Sequence, residues 1–389
     1  MLTSTIYFKN FKKKNKSTQI QVKKKLSSLL NEKNYILESL KKSYKNSYSK
    51  KKLAKYKKIT NFKVIGMGGS TLGTQTIYEF FKDKIKKNFI FIDNLTQKKI
   101  KIRSNKNLNL VVSKSGNTIE TLSNTLELDI VKKNSKNIII ISEKKNNLLF
   151  SLANKFDLFY IEHKNYLGGR YSVLSEVGII PSYLMGVNIN KLRLNLLGCL
   201  AGKGKTLLKK SIINLAILMK SKKINNLIFL NYFPELEKFL YWSQQLIAES
   251  LGKKNKGLLP LISNAPKDHH SLLQLYLDGP KDKFFNIISF EKEAKEKINL
   301  KNFKINNFLN KKRLSYVKNA QKKAVIKSFK IKKIPFREFR IKNANEEALG
   351  ELFSFFIIET VILGKLLNLN PYDQPAVERV KVYTKKFLT

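Results

Sequence analysis

The amino-acid sequence predicts an α/β protein: two α/β/α sandwich domains with mainly parallel sheets, an N-terminal helical arm and a C-terminal helical tail. Three observations lead there. From residue 61 onward, short apolar runs of strand length alternate with longer amphipathic stretches, the pattern of a parallel sheet covered by helices. The alternation breaks once, in a glycine-punctuated stretch from 186 to 206, and then resumes. At 389 residues the chain is also long for a single domain, since domains centre on ~100–150 residues.

Taken in order, residues 1–60 are rich in Lys and Ser with weak helical periodicity, and read as the helical arm. Strands are expected at 62–65, 89–92, 108–112, 138–141 and 158–161, each rich in β-branched or aromatic residues, which defines a first domain over 61–190. The second domain, 191–370, has expected strands at 227–230, 284–290 and 336–341. Between and after them lie helices at 234–251, in a Lys-rich stretch before 336, and at 344–367. Pro234 suits the first turn of its helix, and Asn343 or Asn345 the cap of the later one. A tail over 371–389 ends in a short helix, and no internal sequence repeat is visible.

Hydrophobic residues make up 42% of the chain and aromatic residues 11%, which suits packed cores and excludes a disordered protein. The formal charge of +48 points first to nucleic acid, and residues 41–58 do combine nine lysines with Tyr44, Tyr48 and Tyr56. Yet lysine is spread along the whole chain, and only seven of the 76 basic residues are arginine. With Asn, Ile, Tyr and Phe also abundant, the profile follows AT-rich codons. The charge is therefore read as solvated faces, with no specific nucleic-acid partner, and its field would speed the encounter with a small dianion.

Cys199 is the only cysteine, so no intrachain disulfide can form and a reducing cytoplasm is the expected setting. Residues 1–14 lack the apolar core of a signal peptide. The longest late apolar run, 352–363, carries Glu359 and falls short of the ~20 residues that span a bilayer. No membrane partner is expected.

Two turns carry chemistry. Val64-Ile-Gly-Met-Gly-Gly-Ser-Thr-Leu-Gly73 is a strand entering a glycine turn and then a helix, where free N–H groups face an anion. Its spacing is not Gly-x-Gly-x-x-Gly, which argues against a dinucleotide site. Leu110-Val-Val-Ser-Lys-Ser-Gly-Asn-Thr-Ile-Glu-Thr121 sets Ser113, Lys114, Ser115 and Thr118 around a strand-to-helix turn. Three hydroxyls, an ammonium and open N–H groups make a phosphate cradle. An ordinary helix N-cap would explain one of these hydroxyls, not three.

Both turns resemble the phosphosugar-binding turns of sugar isomerase (SIS) domains, and further motifs resemble the glucose-6-phosphate isomerase (phosphoglucose isomerase) family. These are Gly168-Gly-Arg-Tyr-Ser172, Gln244-Gln-Leu-Ile-Ala-Glu-Ser-Leu-Gly-Lys253, Asp268-His-His-Ser-Leu-Leu-Gln274 and Asn370-Pro-Tyr-Asp-Gln-Pro-Ala-Val-Glu-Arg-Val-Lys381, in the family's order. The chain departs from the family at His269, usually Gln, at Pro375-Ala376, and at Arg379-Val380 before the lysine.

The resemblance implies interconversion of glucose 6-phosphate and fructose 6-phosphate, in glycolysis and gluconeogenesis, without cofactor or metal. A base must carry a proton between C1 and C2 of the open sugar, a cation must face the developing enediolate, and an acid–base pair must open the ring. The family's motifs assign Glu249 as the proton carrier, Arg170 as the cation, and His270 with Lys381 as the ring-opening groups. Gln245 and Gln374 would bind sugar hydroxyls, while Ser113, Lys114, Ser115 and Thr118, with Gly69 and Ser70 nearby, would hold the phosphate. The family's homodimer implies that His270 serves the neighbouring subunit and that the tail completes the site. Two other readings stay open: an isomerase that also accepts mannose 6-phosphate, and a non-catalytic phosphosugar-binding protein.

Overall fold

The computed structural model describes residues 4–11, 16–31, 34–95, 107–291, 296–299 and 307–389. Its strands are β1 (Ser4–Lys9), β2 (Asn61–Ile65), β3 (Asn88–Ile92), β4 (Asn107–Val112), β5 (Ile138–Ser142), β6 (Phe159–Glu162), β7 (Asn226–Asn231), β8 (Leu259–Asn264), β9 (Lys283–Phe290) and β10 (Phe336–Ile341). They form two five-stranded sheets, β3-β2-β4-β5-β6 and β1-β10-β9-β7-β8. Every pairing is parallel except β1 against β10. Two mainly parallel α/β sheets are the architecture that the alternation predicts.

Burial explains the strand sequences. Ile138, Ile139, Ile140 and Ile141 of β5 are all fully buried, as expected where helices cover both faces of a parallel sheet. The helix Glu346–Leu366 is buried along nearly its whole length and packs on the helix Glu237–Leu251. Trp242 meets Phe353 edge-on at 4.8 Å, and Phe239 meets Phe356 at 5.2 Å. Asn345 caps the long helix by accepting from the Ala348 N–H at 3.0 Å, and Pro234 opens the 3₁₀ turn Pro234–Leu236 that leads into Glu237–Leu251.

Two strands escape the sequence reading. The arm contains the helices Lys16–Asn31, Tyr35–Leu40 and Lys50–Ala54, but its start, Ser4–Lys9, is a strand on the edge of the second sheet. Buried Ile6 beside exposed Tyr7 shows the two-residue alternation, hidden in a lysine-rich neighbourhood. In β8, Pro260 removes a backbone donor and masks the strand, and proline is tolerated there because β8 is an edge. The tyrosines of the basic stretch face inward: Tyr44 donates to Glu176 at 3.0 Å, and buried Tyr56 stacks on Phe159 at 5.9 Å.

The two sheets share a topology. In the first, the chain steps from β2 to β3, then crosses to β4 on the other side of β2; in the second it steps from β7 to β8, then crosses to β9. Each therefore has a crevice at the carboxyl ends of its strands where the winding reverses, the place where open α/β sheets bind ligands.

Candidate active site

The first crevice is built from backbone. After β2 the chain turns through Gly66, Gly68 and Gly69, and Gly68 takes φ +52, a left-handed conformation that glycine adopts freely. A Cβ on Gly69 would lie 2.3 Å from the carbonyl carbon of Gly169, and one on Gly68 would lie 2.7 Å from Gln245 Nε2. Missing side chains thus let three segments converge: this turn, the Gly168-Gly169-Arg170 turn and the helix Glu237–Leu251. Ser70 ends the glycine turn and donates its N–H to the Met67 carbonyl at 3.1 Å.

Beyond β4, Ser113 Oγ lies 2.8 Å and Ser115 Oγ 3.4 Å from Thr118 Oγ1, and Ser115 Oγ accepts the Asn117 N–H at 3.2 Å. Thr118 occupies the N-cap position of the helix Ile119–Glu127 without a side-chain cap bond. The hydroxyls are gathered on one another and leave the first-turn N–H groups open, which an N-cap serine would not do. Lys114 turns to Glu143, at 3.3 Å, a buried carboxylate that also pairs with Lys145, so its charge is already matched.

Arg170 is the hub of the facing wall. It is 3% exposed and every donor direction is used. Nε donates to Ser250 Oγ at 2.9 Å, and Nη2 to the carbonyls of Pro371 and Asp373 at 2.7 and 3.0 Å. Nη1 donates to Glu249 Oε2 at 2.9 Å and to Gln374 Oε1 at 3.4 Å. The other oxygen of Glu249 accepts from Gln245 Nε2 at 2.8 Å, one helical turn earlier. Gln245 Oε1 is buried without a partner, an acceptor suited to a ligand hydroxyl. Glu249 itself stays partly open, with 29% of its side chain accessible.

Three supporting groups were invisible as such in the sequence. Tyr171 donates to the Pro371 carbonyl and shares a hydrogen bond with Ser250, both at 2.8 Å, and burial raises its phenol pKa. Lys253 donates to Asp373 Oδ1 and to the Asp373 carbonyl at 2.6 Å, and this bond holds the Asp373 carboxyl below its ordinary range. Together they clamp 371–374 onto the end of the helix Glu237–Leu251. In a chain so rich in lysine, nothing local singles out Lys253.

The structure brings Arg170, Gln245, Glu249 and Gln374 into one hydrogen-bonded cluster, but not His270 or Lys381. His269 is fixed by Tyr232, whose hydroxyl lies 2.8 Å from Nε2, and its neighbour His270 points outward, exposed, on the turn Lys267–His270 after β8. Lys381 pairs with Glu378 at 2.6 Å in solvent, on the helix Pro375–Leu388, none of whose residues is buried. Among the described residues, no group of His, Cys, Asp or Glu is gathered that could hold a metal ion.

A glycine turn and a hydroxyl turn at the winding reversal, faced by a carboxylate–guanidinium pair, define a phosphosugar isomerase of the sugar isomerase type. The profile of the phosphoglucose isomerase family matches residues 11–389, and the chain belongs to that family. It is 33% identical to the glucose-6-phosphate isomerase of Methanocaldococcus jannaschii over 85% of each chain, and 30% identical to that of Campylobacter jejuni over 85% of this chain and 86% of the other. In fold it is similar to a hypothetical protein from Thermus thermophilus, with a TM-score of 0.81, 24% identity, and coverage of 96% of this chain and 95% of that one. A glucose-6-phosphate isomerase from Chlamydia trachomatis superposes with a TM-score of 0.77 at 15% identity, over 99% of this chain and 88% of that one. Among the described residues, no helix is long and apolar enough to cross a membrane.

Proposed function

We propose that the cleft between the first crevice and the helix Glu237–Leu251 interconverts glucose 6-phosphate and fructose 6-phosphate, with two sugar isomerase domains, 61–190 and 191–370, meeting at it. The observation that carries this reading is the Gln245–Glu249–Arg170–Gln374 cluster, which holds one partly open carboxylate beside a buried cation. The hydroxyls of Ser113, Ser115 and Thr118, with the open N–H groups of the helix Ile119–Glu127, receive the phosphate. Glu249 removes the proton from C2 of the open aldose and returns it to C1, and the fixed charge of Arg170 favours the enediolate between these steps. Gln245 Oε1 accepts from a sugar hydroxyl. The isomerisation takes place in the cytoplasm.

The unfinished half of the site supports a homodimer. His270 is exposed and is not among the hydrogen-bond partners of Glu249, and Lys381 lies on a helix whose apolar stripe, Val377, Val380, Tyr383, Phe387 and Leu388, faces solvent. In a two-fold dimer, His270 of one chain serves the site of the other, and covering that stripe draws Lys381 inward for ring opening.

Conversion of fructose 6-phosphate to glucose 6-phosphate tests both claims. Glu249→Gln is expected to lower kcat by about 10²–10⁴-fold with little change in KM, and His270→Ala to be similarly impaired. When the two inactive chains are mixed and exchange subunits, each heterodimer holds one intact site, and activity climbs towards half of wild type per heterodimer. No recovery would assign His270 to its own chain, and near-normal turnover of Glu249→Gln would remove the proton carrier.

A further inference from the structure

At the opposite end of the second sheet from its crevice, where β7, β9 and β10 begin, lies a cavity of about 410 Å³. It opens between the carboxyl end of the helix Gly202–Lys220 and the short helix Leu273–Asp278 that follows the His270 turn. Ile224, Tyr276, Phe285 and Ile334 line it, all buried. Its size falls within the ~300–1,000 Å³ typical of small-molecule sites, and its walls offer few polar partners, so neither a sugar nor a nucleotide suits it.

The mouth has the opposite character. Lys223, Lys281 and Lys333 line it, exposed, with no carboxylate paired to them among the described residues. Two further lysines of the lining are matched: Lys283 by Asp282 at 2.6 Å and Lys332 by Asp278 at 3.0 Å. Lys333 is the left-handed residue, φ +56, that ends the helix Leu314–Ile331, where the Ile334 N–H closes the turn on the Phe329 carbonyl at 2.9 Å, so the backbone of this rim is fixed. An apolar interior beneath three unmatched ammonium groups selects by two criteria at once: an apolar body and one negative charge at its end.

We infer that this cavity is a binding site for an amphipathic monoanion, a medium-chain fatty carboxylate, whose chain enters between Ile224 and Ile334 while its carboxylate stays among Lys223, Lys281 and Lys333. The alternative explanation of the lysines, a solvated face, predicts only a diffuse attraction for any anion, with no saturation and no dependence on these three residues.

Calorimetric titration of the full chain with octanoate, octanol and octylammonium separates these. Octanoate is expected to bind saturably at a single site per chain, more tightly than octanol, with octylammonium weakest. The surface variant Lys223→Glu/Lys281→Glu/Lys333→Glu should weaken octanoate by about tenfold or more and leave octanol unchanged. Ser221→Trp, at the cavity wall, should weaken both by obstruction. None of these positions touches the Glu249 cluster, so unchanged isomerase turnover reports that each variant is folded, and either variant suffices if the other loses turnover. Octanol binding as tightly as octanoate, octanoate uptake that never saturates, or octanoate affinity unmoved in a folded variant would each overturn the assignment.

Discussion

The two halves wind their sheets in the same order, yet only one of them keeps an open crevice at the reversal. In the first half, β2 and β4 end in glycines and hydroxyls, small groups that leave backbone N–H donors in reach of a ligand. In the second, Phe233, two residues past the end of β7, and Phe290, the last residue of β9, stack face to face at 4.6 Å, with Phe80 of the first half against the Phe233 ring at 5.9 Å. Topology supplies a crevice twice and side chains decide its use: the proposed ligand site in one half, a hydrophobic joint in the other. The second half then contributes differently, by sending the helix after β7 across to the first crevice with Gln245 and Glu249 on it.

Opening the joint should give the largest change, and it should be a change in stability. Phe233 is 3% exposed, and a buried Phe→Ala substitution costs about 3–5 kcal/mol. Phe233→Ala is expected to lose that much by chemical denaturation at 25 °C while sugar-phosphate affinity stays at the wild-type level. If affinity fell in step with stability, the second crevice would be part of the binding site and the contrast between halves would collapse.

Stripping the other crevice should produce the converse. Hydrogen bonds to a charged group are worth about 1.5–3 kcal/mol each, so replacing Ser113, Ser115 and Thr118 together with alanine should weaken a sugar-phosphate inhibitor by about a hundredfold or more. Stability should scarcely move, because these hydroxyls bond mainly to one another. Calorimetry with phosphorylated and neutral sugars decides it. Equal losses for both ligands would mean that the turn had simply rearranged.

Legibility differed between the halves for physical reasons. The first half reads almost residue by residue, because strands buried on both faces are continuous apolar runs and the glycine and hydroxyl turns interrupt them sharply. In the second half, β8 hid behind Pro260, and β1 arrived from the far end of the chain, a non-local pairing that no local pattern announces. The cluster of Arg170, Gln245, Glu249 and Gln374 was nameable from motifs, but the way Arg170 spends its donors on 371–374 was not. That depends on where the tail's carbonyls fall. Lys253, Asp373 and Tyr171 act through the same carbonyls and carboxylate, so their partners are set by chain path and not by residue type. His270 and Lys381 stand apart from the cluster for a different reason under the proposed dimer: the surface that would order them belongs to a second copy.

Buried ionisable groups extend the comparison to pH. In the second half they are paired: Arg337 with Glu359 at 2.6 Å and Lys322 with Glu338 at 2.8 Å, so their charges are balanced in the fold. His163, just after β6 in the first half, is different. It is 2% exposed, its Nδ1–H donates to the Lys164 carbonyl at 2.9 Å, and its Nε2 is buried without a partner. Burial lowers its pKa, and the charge of Lys114 acts in the same direction; the Lys164 carbonyl, Glu176 and Glu143 oppose it. In the unfolded chain the imidazole takes a proton near its ordinary value of about 6.5. Between that value and the lowered one, the unfolded state binds more protons than the folded state, so stability must fall as pH falls. This contribution is whole above about pH 6.5 and declines below it, whereas the Glu338 carboxyl of the second half, which burial raises but hydrogen bonds from Arg340 and Lys322 hold below its ordinary range, keeps its charge to lower pH. His269, also lowered by burial but more exposed, adds a slope of the same sign. Urea denaturation from pH 7.5 to 5 should therefore show a decline that His163→Asn makes shallower, whatever that variant does to stability at pH 7.5. An unchanged slope in His163→Asn would transfer the pH response to His269 and the second half.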